Sequence, residues 1–180
     1  PSSKITLLQR GFRVTSLDGS QNMLEKAQEN AQAKQVSLNV VHANWLELPT
    51  DLHGQFDAII CLGNSFTHLL TAAEQEQTIQ NFHRALRKGG HLILDARNYD
   101  YVMSPRYQPK GKLYYTGNQF KVVPVEQTAQ MIRLQYTNQA KQTFQLTLNP
   151  VSALRITSPT VTLGKSNGYT CKRTRSPMPA

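Results

Sequence analysis

Four places in the chain carry side chains suited to holding a small polar ligand, and each follows an apolar run. Asp18 closes the run R-V-T-S-L-D and precedes Gly19-Ser20. An ionised carboxylate only accepts hydrogen bonds, which suits the two hydroxyls of a ribose. Aspartate before Gly-Ser is also common turn chemistry, and for Asp18 taken alone that account is the stronger. Asn44-Trp45 offers an amide and an indole face, together able to fix a purine ring, with a core tryptophan as the equal alternative. Leu62-Gly63-Asn64-Ser65 combines a glycine, where backbone can approach a ligand closely, with two small polar side chains. A simple turn would use the same residues. Arg97, two residues beyond Asp95, could present a forked, permanently charged guanidinium to a carboxylate, or pair structurally with Asp95 or Asp100. Tyr99, Tyr101, Tyr107, Tyr114 and Tyr115 crowd the stretch after it.

Ligands of open α/β sheets sit beyond the carboxyl ends of the strands, so these residues have meaning only if the runs before them are strands. Arg13 to Asp18 and Leu38 to His42 read as strands, and Phe56 to Leu62 is apolar enough to be a central strand buried on both faces. Between the first two, Met23, Leu24, Ala27 and Ala31 recur at helical spacing behind a capping Ser20. Thr71 with Glu74 is a capping-box pattern that opens a helix running towards Leu86, with Ile79, Phe82 and Leu86 inward and Gly89-Gly90 as its stop. His91 to Asp95 is the next strand. Strand, helix, strand, strand, helix, strand predicts a mostly parallel sheet covered by helices. Tyr99 to Tyr115 then reads as a long surface excursion. Phe120 to Val125, Met131 to Thr137 and Thr143 to Leu148 follow as an antiparallel meander.

At 180 residues with a net charge of +9 the chain is long enough for one domain with its own core. The charge is uneven: all eleven acidic residues lie in the first 126 positions, together with thirteen of the twenty Lys/Arg. The surplus therefore belongs to the tail, and the body gives no reason to expect a nucleic-acid partner. No apolar run approaches a membrane span and no secretion pattern opens the chain, so neither a membrane partner nor export is expected. Cys61 and Cys171 lack any framework or metal-site spacing, which favours a reducing, cytoplasmic setting and no metal.

Read in order, V-T-S-L-D-G-S, A-N-W-L, F-D-A-I-I-C-L-G-N-S-F-T-H-L, L-R-K-G-G-H-L-I-L-D-A-R-N-Y-D-Y, G-K-L-Y-Y and L-Q-Y-T resemble successive blocks of the glycine and glycine/sarcosine N-methyltransferases. These are class I S-adenosylmethionine-dependent enzymes. The resemblance covers residues 11 to about 148. It implies a Rossmann-like α/β sheet, S-adenosylmethionine as cofactor, and glycine or sarcosine as the small-molecule substrate. By it, Asp18, Gly19 and Ser20 hold the ribose, Asn44 and Trp45 the adenine, and Leu62, Gly63, Asn64 and Ser65 flank the cofactor, with His68 in the same block. Arg97 with Asn64 would hold the amino-acid carboxylate, and Tyr115 and Tyr136 would border the methyl-transfer site. Met131, Gln135 and Thr137 read as ordinary strand residues. Arg97 and Asp18 are expected at one rim of the sheet.

Two features depart from that family. A first strand with its glycine-rich turn is missing before Pro1-Ser2-Ser3-Lys4, and Ile5, Leu7 and Leu8 align with the family's first helix. A truncated start is expected, without isolated activity. After Asn149-Pro150-Val151 the family's usual ending is replaced by a tail without acids. The division expected is a partial methyltransferase domain over 1–155 and a basic segment over 156–180, either disordered or read in a shifted frame from near Arg155-Ile156. The competing functions are a methyltransferase for another small molecule, a dinucleotide oxidoreductase, which should lack the Asn-Trp and Leu-Gly-Asn-Ser pairing, and a basic binding module.

Overall fold

In a computed structural model of the chain, residues 3–102, 104–106, 119–150 and 161–162 are described. The chain divides into two compact units, residues 1–52 and 53–180, and each is treated separately below.

In the first unit, α1 (Ser3–Gln9) leads to β1 (Thr15–Asp18), α2 (Gln21–Gln32) and β2 (Asn39–His42). The β-branched run before Asp18 thus extends as a strand, and β2 lies parallel to it, Thr15 opposite Asn39 and Asp18 opposite His42. Helix α2 starts after Ser20, whose backbone is still extended and whose hydroxyl accepts from the Met23 amide at 3.4 Å. The apolar residues recurring along α2 turn Leu24 and Ala31 inward. Ile5, Ala31 and Leu38 form the core, with Leu8, Val14, Ala27, Val36 and Val40 packed against them. Such burial, at about 25 cal/mol per Å² of apolar surface, holds the strand ends where their polar residues can be used.

The second unit runs β3 (Phe56–Cys61), a 3-10 turn (Ser65–His68), α3 (Ala72–Ala85), β4 (Leu86–Leu94), α4 (Tyr99–Val102), β5 (Phe120–Gln127), β6 (Ile132–Asn138), β7 (Thr143–Leu148) and β8 (Val161–Thr162). One sheet is parallel, in the order β3-β4-β8, and the other is the antiparallel meander β5-β6-β7. The fold is α/β with parallel sheets and a C-terminal antiparallel sheet, as the alternation of elements predicts. Tyr99, Ile132, Leu134 and Leu148 are the core between α4 and the meander, joined by Val102, Val122, Tyr136 and Leu146. The Thr71–Glu74 capping box forms: the Glu74 amide donates to the Thr71 hydroxyl at 3.1 Å, and the Thr71 amide donates to the Glu74 carboxylate at 2.8 Å.

Two expectations are corrected here. Gly89-Gly90 does not stop α3, which ends at Ala85, and both glycines lie within β4. Pairing of Phe56 with Leu86 draws the chain into the sheet at once, and residues 87–90 are accommodated as an irregularity opposite β3. Glycine is required there because Gly89 has φ +79°, and a Cβ on Gly90 would meet the Phe56 carbonyl oxygen at 3.0 Å. Nor is β3 buried on both faces: Asp57 and Ala58 are exposed, and Ile60 is 43% exposed. Burial on both faces requires elements packed on both, and that cover is incomplete at Ile60. The inward face of α3 also differs in detail, with Thr78, Asn81, Phe82 and Ala85 buried and Ile79 half-buried.

Candidate functional site

At the end of β1, the Oδ1 atom of Asp18 accepts from the Ser20 amide at 3.0 Å, closing a turn that hands the chain to α2. No other hydrogen bond or ion pair engages this half-buried carboxylate among the described residues. The parallel register continues past the strands: the Ala43 amide donates to the Asp18 carbonyl at 3.2 Å, and the His42 ring meets the Gly19 carbonyl at 3.0 Å. Asn44 and Trp45 come next, so the first unit gathers five of its singled-out residues at one pair of strand ends. Asn44 is exposed, and its side-chain oxygen accepts from the Leu46 amide at 3.0 Å. Trp45 is half-buried.

The second unit has a closed polar network at the corresponding ends of β3 and β4. Cys61 faces Leu94 in the register, and the Asp95 amide donates to the Cys61 carbonyl at 3.0 Å, so the segments leaving both strands run side by side. Gly63 and Asn64 turn the chain with φ of +78° and +64°, a conformation that glycine and asparagine tolerate best. The Asn64 amide donates to the Asp95 carboxylate at 2.8 Å. Its side-chain Nδ2 donates to Thr67 Oγ1 at 3.0 Å and to the Tyr99 hydroxyl at 2.7 Å, while its Oδ1 accepts from the Arg97 amide at 3.1 Å. Thr67 is fully buried, and its hydroxyl donates back to the Asn64 carbonyl at 2.7 Å. The Asn149 amide donates to the Thr67 carbonyl at 2.8 Å, which ties the end of the meander to the same point.

Arg97 itself is half-buried, and its guanidinium has neither an ion pair nor a hydrogen bond among the described residues. The structural pairing with Asp95 or Asp100 is therefore absent among them. Tyr136 stands near enough to feel its charge: burial pushes the phenol above its ordinary pKa of 10.0, while Arg97 draws it down and Tyr99 pushes it up. The Tyr136 ring stacks on Phe144 at 4.7 Å and meets Phe120 edge-on at 6.4 Å. Beneath the network, burial and then the Asp95 charge push the Cys61 thiol up to about 12.

A family described as a methyltransferase domain matches residues 3–90. A glycine/sarcosine N-methyltransferase of Aphanothece halophytica is 38% identical over 147 residues, 82% of this chain and 56% of that protein. Another, from Halorhodospira halochloris, is 40% identical over 82% of the chain and 55% of its own length. An S-adenosylmethionine-dependent methyltransferase structure from Clostridium acetobutylicum superposes with a TM-score of 0.65 at 15% identity, covering 83% of this chain and 63% of that one, which speaks to the fold. Over residues 3–90, about half of its length, the chain is similar to methyltransferase domains. It is also similar to the glycine/sarcosine N-methyltransferases, and it spans about half the length of the curated relatives it matches.

Leu62, Gly63, Asn64, Ser65, Arg97 and Tyr136 belong to one unit, and Asp18, Gly19, Ser20, Asn44 and Trp45 to the other. His68 ends the 3-10 turn and is exposed. Ser65 donates to the Leu62 carbonyl at 2.8 Å, a turn-closing bond. Tyr115, Tyr107 and Tyr114 lie outside the described residues. Tyr99 does not present its hydroxyl at an open mouth: it is 3% exposed and bonded to Asn64. Thr67 and Asp95, which complete the network, were not singled out by sequence reasoning. The one clue to them was position, Asp95 closing the strand H-L-I-L-D and Thr67 sitting three residues after Asn64.

Proposed function

We propose that the protein transfers a methyl group from S-adenosylmethionine to the amine of glycine, sarcosine or both. The observation that carries this reading is Arg97, a half-buried residue whose guanidinium lacks an anionic partner among the described residues. A charge so placed is costly unless an anion joins it, and a planar fork matches a carboxylate. The names of the relatives at 38% and 40% identity point to the same amino acids.

Bound S-adenosylmethionine supplies a methyl group already activated on a sulfonium. The residues present fit its nucleoside half: Asp18 has a carboxylate oxygen to offer ribose hydroxyls once Oδ1 has accepted from Ser20, with Gly19 and Ser20 shaping the turn. Asn44 and Trp45 would take the adenine, and Leu62, Gly63 and Ser65 with His68 are the second unit's candidates for contact with the cofactor. Arg97 grips the substrate carboxylate and leaves the amine to be aligned, so that positioning does most of the work. The amine must lose its proton before transfer. Tyr136, held above its ordinary pKa by burial, stays a neutral phenol at physiological pH and is no base; it borders the reacting nitrogen, and the proton departs to water. A reducing, cytoplasmic setting agrees with the free, buried Cys61.

The test is Arg97→Ala in a complete enzyme that contains this chain. Loss of a charge-paired anchor should lower kcat/KM for glycine or sarcosine by about 100-fold or more while leaving S-adenosylmethionine affinity within roughly twofold. Unchanged methylation of both amino acids would remove Arg97 from the site.

A further inference from the structure

We infer that Asn64 is a positioning residue, which sets Arg97 and Tyr99 through its carboxamide and gives no direct hydrogen bond to the amino-acid carboxylate. This deepens the proposed function and rests on it. The argument begins with donor capacity. A carboxylate only accepts hydrogen bonds, so a direct ligand must have an N–H to give. The orientation of the Asn64 amide is fixed by its neighbour: the Arg97 backbone N–H can only donate, so the atom 3.1 Å from it is the oxygen. The nitrogen then has two hydrogens, and both are committed, to Thr67 at 3.0 Å and to Tyr99 at 2.7 Å. Asn64 is 8% exposed, and the one group left with capacity is its oxygen, itself an acceptor.

What the carboxamide does is bridge three segments. It joins the turn after β3 to the Arg97 backbone after β4 and to the Tyr99 hydroxyl on α4, whose ring is packed in the core with Ile132, Leu134 and Leu148. The direction of the Arg97 side chain follows from its backbone. Through Tyr99 that backbone is referred to the sheet that carries Tyr136, so anion anchor and phenol are set from one amide. A left-handed backbone at φ +64° keeps the amide pointing inward and is a conformation asparagine accepts.

The experiment is a cycle of Asn64→Gly, Tyr99→Phe and the double variant in a complete enzyme that contains this chain, reading KM for the amino acid and for S-adenosylmethionine separately. Glycine retains the left-handed turn while deleting the carboxamide, and phenylalanine deletes one buried hydroxyl without emptying the core. Each single variant should raise amino-acid KM by roughly tenfold, the scale of one or two buried hydrogen bonds, and change S-adenosylmethionine KM less than about twofold. The double variant should match Asn64→Gly alone, because both substitutions cut the same link. A silent Tyr99→Phe, or effects that multiply in the double variant, would mean that Asn64 meets the substrate by itself, and the inference falls. If Asn64→Gly does not fold, Tyr99→Phe alone decides: a rise confined to amino-acid KM supports the inference, and a silent or unselective result overturns it. Wild-type protein that methylates neither amino acid overturns the substrate reading and this deepening with it.

Discussion

The two sets of strand ends differ in how much of their hydrogen-bonding capacity is already spent. At β1 and β2, Asp18 uses one carboxylate oxygen on its own turn, and the Asn44 side chain is exposed with a single local bond. At β3 and β4, Asn64 commits both amide hydrogens, and Thr67 and Tyr99 are buried around it. Groups with spare capacity suit direct ligand contact, while a saturated and buried set suits geometry, because breaking any one bond leaves a partner unsatisfied at about 1–3 kcal/mol. Substitutions at the first set should therefore change binding and leave stability alone, and those at the second should change both.

The largest effect expected from this contrast concerns dryness. Cys61 lies at the end of β3 beside Asp95, and its thiol is pushed from 9.0 to about 12 by burial and then by that carboxylate. At pH 8 the thiolate fraction, and with it the alkylation rate, should be about 1000-fold below that of the unfolded chain, as three pKa units imply. Iodoacetamide labelling of a Cys171→Ser protein with and without urea measures this. Since the folded pKa is the higher one, the buried thiol contributes stability fully below pH 9.0, and this is lost as pH rises towards about 12. Labelling of native protein at the unfolded rate would make the network wet, and the contrast would collapse.

Asp18→Asn tests the open side. Asparagine can still accept from the Ser20 amide, so the turn into α2 survives, but its second terminal atom becomes a donor that repels the role proposed for it. S-adenosylmethionine affinity, followed by calorimetry, should fall roughly 10- to 100-fold, the worth of one or two hydrogen bonds to a charged group. The melting temperature should not move. A protein that loses stability and keeps its affinity would give Asp18 the turn-forming role that its sequence context alone favours.

The contrast also marks what was legible in the sequence. Asp18-Gly19-Ser20 and the Thr71–Glu74 box were readable because cap and turn chemistry is decided within three or four residues. The meander was readable because Phe120 to Val125, Met131 to Thr137 and Thr143 to Leu148 are strand-like runs with polar turns between them, and the strands form within one or two residues of those bounds. The Asn64 network was not, since its partners Tyr99 and Arg97 lie 35 and 33 residues away and only the parallel register of β3 and β4 brings them together. The end of α3 was misjudged for a related reason. Gly89-Gly90 looks like a helix stop by local rules, but Leu86 finds Phe56 across the sheet first. The exposure of Ile60 depends on what covers β3, which no local pattern encodes.

The smallest expected effect separates closure of a network from its burial. Thr71 and Glu74 satisfy each other reciprocally, as the Asn64 set does, yet Thr71 is exposed. Thr71→Ala should cost about 1 kcal/mol in urea denaturation at pH 7, with amino-acid KM unchanged, because water replaces the lost bonds. The Thr71 backbone N–H, and then its hydroxyl, hold the Glu74 carboxyl below its usual 4.5. A depressed folded pKa means stabilisation that is present above the unfolded pKa and is lost as pH falls through the folded one. The gap between wild type and Thr71→Ala should therefore narrow as pH falls through and below 4.5, leaving only the bond from the Glu74 amide to the Thr71 hydroxyl. A gap of constant size across that range would assign the whole cap to the hydroxyl. A gap matching that of Tyr99→Phe would mean that burial adds nothing to a closed network, and the distinction between the two regions would lose its physical basis.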